Sequence, residues 1–201
     1  MTLKLFVLEV PVNRAYKELG TSYNTVYKVY SLVRKAIFHC TCKDAPLLRG
    51  EAKAHESYFG GERGRGAKRK ISVFGILERQ GKVRVEIVEE VSAESLLRAT
   101  TKKVKRGSLI YTERFKSYDS LVTYRVGHER VDHSQRFSNG RVHINGIEGF
   151  WSYAKERLLK YHGIGRENFG YELKELEFRS NNRENLDEKV YEVLGNWGGL
   201  K

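Results

Sequence analysis

The stretch GEAKAHESYFGGERGRGAKRK, residues 50–70, sets His55 and Glu56 in the middle of a run that reads as a buried strand, then enters a glycine-rich loop crowded with positive charge. Polar side chains in such a strand need a reason, because burial without compensation costs free energy. The loop offers Arg63, Arg65, Lys68, Arg69 and Lys70 against Glu62, a set that can follow a phosphate backbone or simply solvate a hairpin. A second cluster with chemical potential is His39, Cys40 and Cys42. The two cysteines are too close in sequence for an ordinary structural disulfide and make up half of a metal-binding pattern at most. Zinc through these three residues stays open, although no second ligand pair follows at ribbon or finger spacing.

The elements around these residues can be read from periodicity. Residues 1–46 read as helices: Val12, Tyr16 and Leu19 recur at helical spacing, Pro11 suits a first turn and Gly20 a C-terminal cap. A second helix begins at Ser22 or Asn24 and carries Val26, Val29, Val33 and Ile37 along one face. Two helices joined by a tight glycine turn have the form of a helix-turn-helix, which would present Tyr23, Asn24, Thr25 and Lys28 to a DNA major groove. An ordinary packing hairpin has the same pattern.

From residue 50 the period becomes that of a strand. KRKISVFGILERQGKVRVEIVEEV predicts a hairpin turning at Gln80 and Gly81, its second strand half exposed, with Val83, Val85 and Ile87 alternating with Lys82, Arg84 and Glu86. Ser92 opens a helix over SAESLLRATTKKV, and Gly107 ends the connection. SLIYTE is a short strand ending at Thr112 and Glu113, followed by a helical RFKSYDSLVTY and a possible strand at HERVDH. Three meandering strands followed by alternating helix and strand imply a mixed sheet covered by helices. The strongest local pattern is HINGIEGFWSYAKERLLKYHG. Asn145 suits an N-cap, and Ile147, Phe150, Trp151, Ala154 and Leu158 form a helical stripe. Glu148 fits a capping box there, a sufficient explanation on spacing alone.

Composition narrows the function classes. The 201 residues are 40% hydrophobic and 11% aromatic, which is globular and not disordered. A formal net charge of +12 points to a polyanionic partner, nucleic acid before anionic membrane. Residues 169–201 hold seven acids against five bases, so the excess of positive charge belongs to the remainder, and the tail is expected to be a solvated helix away from the binding surface. No apolar run approaches the roughly 20 residues of a membrane span, and MTLKLFVLEV lacks signal-peptide form, so a cytoplasmic, nucleoid-associated protein is expected.

Taken together and in order, ESYFGG with its basic glycine loop, VFGILER with GKVRVEIV, IYTE, HINGIEGFWSYAKERLLKYHGI and ELKELEFRSNNR resemble the DDE transposases of small bacterial insertion sequences, in the ISXO-like branch related to the eukaryotic Merlin elements. The resemblance covers residues 50 to about 185. It implies an α/β, RNase H-like mixed sheet flanked by helices and preceded by a small helix-turn-helix-like segment. The domains expected are 1–46 for DNA binding, 47–185 for the transposase domain and 186–201 for a helical tail. It also implies double-stranded DNA partners (element ends and target), a homo-oligomer assembled on DNA, and a two-metal site for Mg²⁺ or Mn²⁺ that drives phosphodiester cleavage and strand transfer.

Carried over by position, the family's three acids fall on His55, Glu113 and Glu148, the last two as metal ligands. Only Glu148 keeps the family's residue, since the first two positions are aspartates there. Glu113 and Glu148 lie 35 positions apart, in line with the family layout. Imidazole removes charge and a hard oxygen from a magnesium site, and the added methylene of Glu113 displaces its carboxylate. Neighbouring strand residues point to opposite faces, so Glu56 cannot stand in for His55. Three readings follow: a transposase, slow or manganese-preferring; a decayed or repurposed relative that only binds DNA; and an unrelated basic RNA-binding protein.

Overall fold

The computed structural model describes residues 1–43, 45–60, 70–79, 81–113, 127–131, 145–159 and 165–198. The helical expectation for 114–126 and most of the basic loop, with Arg63, Arg65, Lys68 and Arg69, lie outside these residues. Twelve elements run along the described chain: α1 (Thr2–Val7), α2 (Val12–Glu18), α3 (Tyr23–Lys43), β1 (Glu51–Phe59), β2 (Ile71–Glu78), β3 (Val83–Val88), α4 (Ala93–Lys103), β4 (Leu109–Glu113), β5 (Gly127–Val131), α5 (Asn145–Leu159), α6 (Arg166–Asn181) and α7 (Leu186–Asn196). They form two compact units, Pro46–Gly163 in one and Met1–Ala45 with Ile164–Lys201 in the other.

The first unit is built on a five-stranded sheet of order β3-β2-β1-β4-β5. β1, β2 and β3 are antiparallel neighbours, while β4 pairs parallel to β1 and β5 parallel to β4. Three antiparallel strands extended by parallel ones across a helical connection make the RNase H-like arrangement. β1 is central, and strand alternation divides its residues between two covered faces. Ala52 and Ala54 join Phe74, Ile76, Val88, Ile110, Leu96 and Ala99 in a core beneath α4. The opposite face of β1 and β2 packs against α5, whose Ile147, Phe150, Trp151 and Ala154 are buried as the helical stripe predicts. α4 starts where Ser92 accepts a hydrogen bond from the Ser95 amide at 3.2 Å, a cap worth about 1 kcal/mol.

One detail departs from the sequence reading. β3 is not simply half exposed: Arg84 is buried and Ile87 is exposed. α4 crosses β3 on the side of Arg84 and Glu86, where Lys103 pairs with Glu86, and Val83 and Val85 are buried on the other side, so both faces of the strand are largely covered.

The second unit is helical. Gly20, at φ +60°, turns the chain between α2 and α3, and Ser22 caps α3 by accepting from the Thr25 amide at 3.1 Å. Val26, Tyr30, Val33, Ala36 and Ile37 of α3 form a core with Phe6, Ala15, Phe178, Val190 and Val193. α3 therefore packs on α6 and α7 as well as on α2. This corrects the expectation of a solvated acidic tail, because α6 is largely buried. Its acids are matched by one cation far away in sequence and one on the same helix: Arg34 Nε lies 2.6 Å from Glu175 and 3.2 Å from Glu172, and Arg179 Nε lies 2.7 Å from Glu175. Arg179 also donates to the carbonyls of Phe6 and Val7, closing the open C-terminal end of α1.

Two guanidinium groups here face three carboxylates, since Glu9 lies 3.8 Å from Arg179. The ion-pair distance of Glu172 suggests a charged group, but Arg34 is closer to Glu175 and cannot fully neutralise both. Burial, aided by the charge of Glu175, raises the Glu172 pKa to about 7 against the pull of Arg34 and Arg179. For Glu175 burial also acts upward, but the charges and hydrogen bonds of both arginines prevail and hold it low. A raised acid binds more protons folded than unfolded, so its contribution is full below the unfolded value of 4.5 and is lost as pH rises to about 7. Urea unfolding of the full chain at pH 5 and pH 8 should therefore show Glu172→Gln gaining on wild type by roughly 2 kcal/mol at the higher pH. An equal difference at both pH values would mean that Glu172 is ionised throughout.

Candidate functional site

The face of the sheet under α5 carries the residues with chemistry. By alternation Lys53, His55, Ser57 and Phe59 share it, while Glu56, paired in register with Phe74, belongs to the α4 face. His55 is in register with Gly75 of β2. A Cβ on Gly75 would stand 2.5 Å from Trp151 Cζ2 and 3.2 Å from Ile147 Cδ1, so the glycine admits the indole against the sheet. Phe59 meets the same indole edge-on at a centroid distance of 6.0 Å. Gly146 lies over Leu77, the partner in register of Lys53. The first turns of α5 thus sit above two successive rows of the sheet, one containing Lys53 and the next His55.

On the other side of β1, Lys53 is in register with Tyr111 and Ala54 with Thr112. The next positions of the two parallel strands are His55 and Glu113. The backbone therefore brings these two positions side by side at the ends of adjacent strands, although the Glu113 side chain lies outside the described residues. From α5 Glu148 reaches the same face, its Oε1 4.0 Å from Lys53 Nζ. This separation is an electrostatic contact and too long for a hydrogen bond. The Lys53 side chain is 9% exposed and that of Glu148 43%.

Lys53 is the residue that motif reading overlooks. Its signal was present in AKAHES: a lysine two positions before His55, on the same face of a strand with apolar neighbours.

The other expected residues are more scattered. Tyr23, Asn24, Thr25 and Lys28 are exposed on the first turns of α3, and Lys70 is exposed at the start of the β2 hairpin. Tyr23 stacks on Tyr27 one turn further on, with centroids 6.1 Å apart and planes 13° from parallel. His39, Cys40 and Cys42 occupy the last turns of α3, and neither cysteine is in a disulfide. Among the described residues no three His, Cys, Asp or Glu side chains form a cluster that could hold a metal. No helix among them is long and apolar enough to cross a membrane.

The sheet order and this arrangement of strand ends and helix define an RNase H-like domain. The chain belongs to the family described as ISXO2-like transposase domain, which it matches over residues 44–181. It is 43% identical over 103 residues to an uncharacterized transposase-like protein of Haemophilus influenzae, covering 51% of this chain and 84% of that one. It is 28% identical over 196 residues to an uncharacterized protein in the transposable element ISH50 of Halobacterium salinarum, covering 86% of this chain and 65% of that one, so it spans less than two thirds of that relative's length. Among solved structures, the magnesium complex of the HTLV-2 integrase catalytic core domain matches with a TM-score of 0.46 at 11% identity, over 74% of this chain and 98% of the other.

The seat of α5 can be tested by substitution. Gly75→Ala should cost about 1–3 kcal/mol in urea unfolding, as overpacked cores do, whereas alanine would otherwise be the better strand residue. Adding Trp151→Phe should recover part of that loss. A neutral Gly75→Ala would mean that the indole does not press on β2.

Proposed function

We propose that this chain acts as a DNA-binding member of the transposase family whose site does not support metal-dependent strand cleavage. Its partners would be element ends and target DNA, bound in the cytoplasm on the nucleoid by a homo-oligomer. The observation that carries the second half is the Lys53–Glu148 contact, because the one family acid retained here already faces a cation.

The divalent metals that the family implies, Mg²⁺ or Mn²⁺, do not fit the residues present. The first ligand position holds the imidazole of His55, and the ammonium of Lys53 lies on the same face beside Glu148. An ammonium and a metal dication compete for one carboxylate and repel each other. Manganese accepts imidazole more readily than magnesium does, which answers the first objection and leaves the second.

DNA binding is supported by the charge and by the exposed face of α3. The net charge of +12 and the loop residues Arg63, Arg65, Lys68, Arg69 and Lys70 supply phosphate contacts. Tyr23, Asn24, Thr25 and Lys28 stand off the buried stripe of α3 and are available for groove contacts. Tyr27, stacked on Tyr23, extends this surface by one turn.

Fluorescence anisotropy with a labelled duplex tests the reading. Affinity should fall steeply with salt, each phosphate contact adding about −0.9 to the log–log slope. Asn24→Ala with Lys28→Ala should weaken binding roughly tenfold or more while the circular dichroism stays unchanged. Salt-independent binding would remove the phosphate role, and equal affinity in the double variant would return α3 to a purely packing function.

A further inference from the structure

We propose that the ammonium of Lys53 is the resident cation of this site: it clamps Glu148 of α5 to β1 and shuts divalent metal out. The inference rests on the proposed absence of metal chemistry and gives it a physical cause in one residue. Lys53 comes from the central strand, in a row with Leu77 and Tyr111, beneath the first turn of α5. Its side chain is nine-tenths buried, and a charge held that deep persists only where an opposite charge compensates it. The stem is buried with the rest of the side chain, and the ammonium comes within 4.0 Å of the carboxylate of Glu148, which lies in the first turn of α5 near the positive end of its dipole and is open to water.

The charge arithmetic favours the lysine over a metal. Even at the dielectric constant of water, a dication about 4 Å from an ammonium loses roughly thirtyfold in affinity, and more where water is partly excluded. The imidazole of His55 brings no negative charge to offset that loss. The substitution of His55 for aspartate and the lysine two positions earlier act in the same direction: one removes the anion that would attract metal, the other supplies a cation in place of it.

Uptake of Mn²⁺, followed by the loss of its free-ion electron paramagnetic resonance signal, tests this without any catalytic readout. Wild type should take up no stoichiometric Mn²⁺. Lys53→Met, close in shape and uncharged, should bind about one Mn²⁺ per chain at least thirtyfold more tightly, and adding Glu148→Gln should abolish the gain. Lys53→Gln provides the same neutral test if methionine disturbs folding, which circular dichroism reports. Stoichiometric uptake by wild type that disappears in Glu148→Gln would overturn the proposal without recourse to any lysine variant. So would a folded Lys53→Met/His55→Asp chain that still takes up no metal. Duplex anisotropy in metal-free buffer separates the two claims: loss of DNA binding by wild type defeats the DNA reading alone, whereas altered Mn²⁺ uptake bears on Lys53 alone.

Discussion

A strand segment covered on both faces has little water to receive its polar groups, and residues 52–54 of β1, all buried, are such a segment. Every side chain on it must be apolar, small or compensated within the fold. Ala52 and Ala54 meet the condition by size on the α4 side, and Phe59, further along the strand, by packing on Trp151 on the other. Lys53 meets it by charge, through Glu148. The position of α5 is therefore constrained twice, by an indole seated on Gly75 and by a carboxylate facing an ammonium. The site is a product of the same constraint, since the row beside Lys53 holds His55 and leads across to the Glu113 position of β4.

The same principle organises the helical unit in a different form. Arg34 and Arg179 sit among Glu9, Glu172 and Glu175, with the Phe6 ring beneath both guanidinium groups at 5.8 and 4.8 Å. Such a network makes little net contribution to stability compared with an apolar core, but breaking one member strands a buried charge. It ties α3 to α6, and so links the surface bearing Asn24 and Lys28 to the C-terminal helices.

Much of the sheet was legible because its signals are local. Alternation marks β2 and β3, Ser92 marks the start of α4, and the stripe from Ile147 to Ala154 marks α5. The motif resemblance supplied the RNase H-like class of the sheet, which no local period contains. What remained hidden depended on distant partners. The acids of α6 read as a solvated surface because Arg34, which neutralises Glu175, lies 141 positions earlier. Arg84 read as exposed because nothing local says that α4 crosses β3 on that side. Lys53 was passed over, because its significance needed Glu148, brought to it by the fold.

The central claim is that a transposase-family fold here holds a protein cation where the resemblance to DDE transposases implies metal. The most direct measurement is relaxation of supercoiled plasmid by the purified wild-type chain, with Mg²⁺ and with Mn²⁺, under conditions in which the plasmid is bound. The account predicts retained supercoiling with either metal. Metal-dependent nicking that vanishes in Glu148→Gln would contradict it.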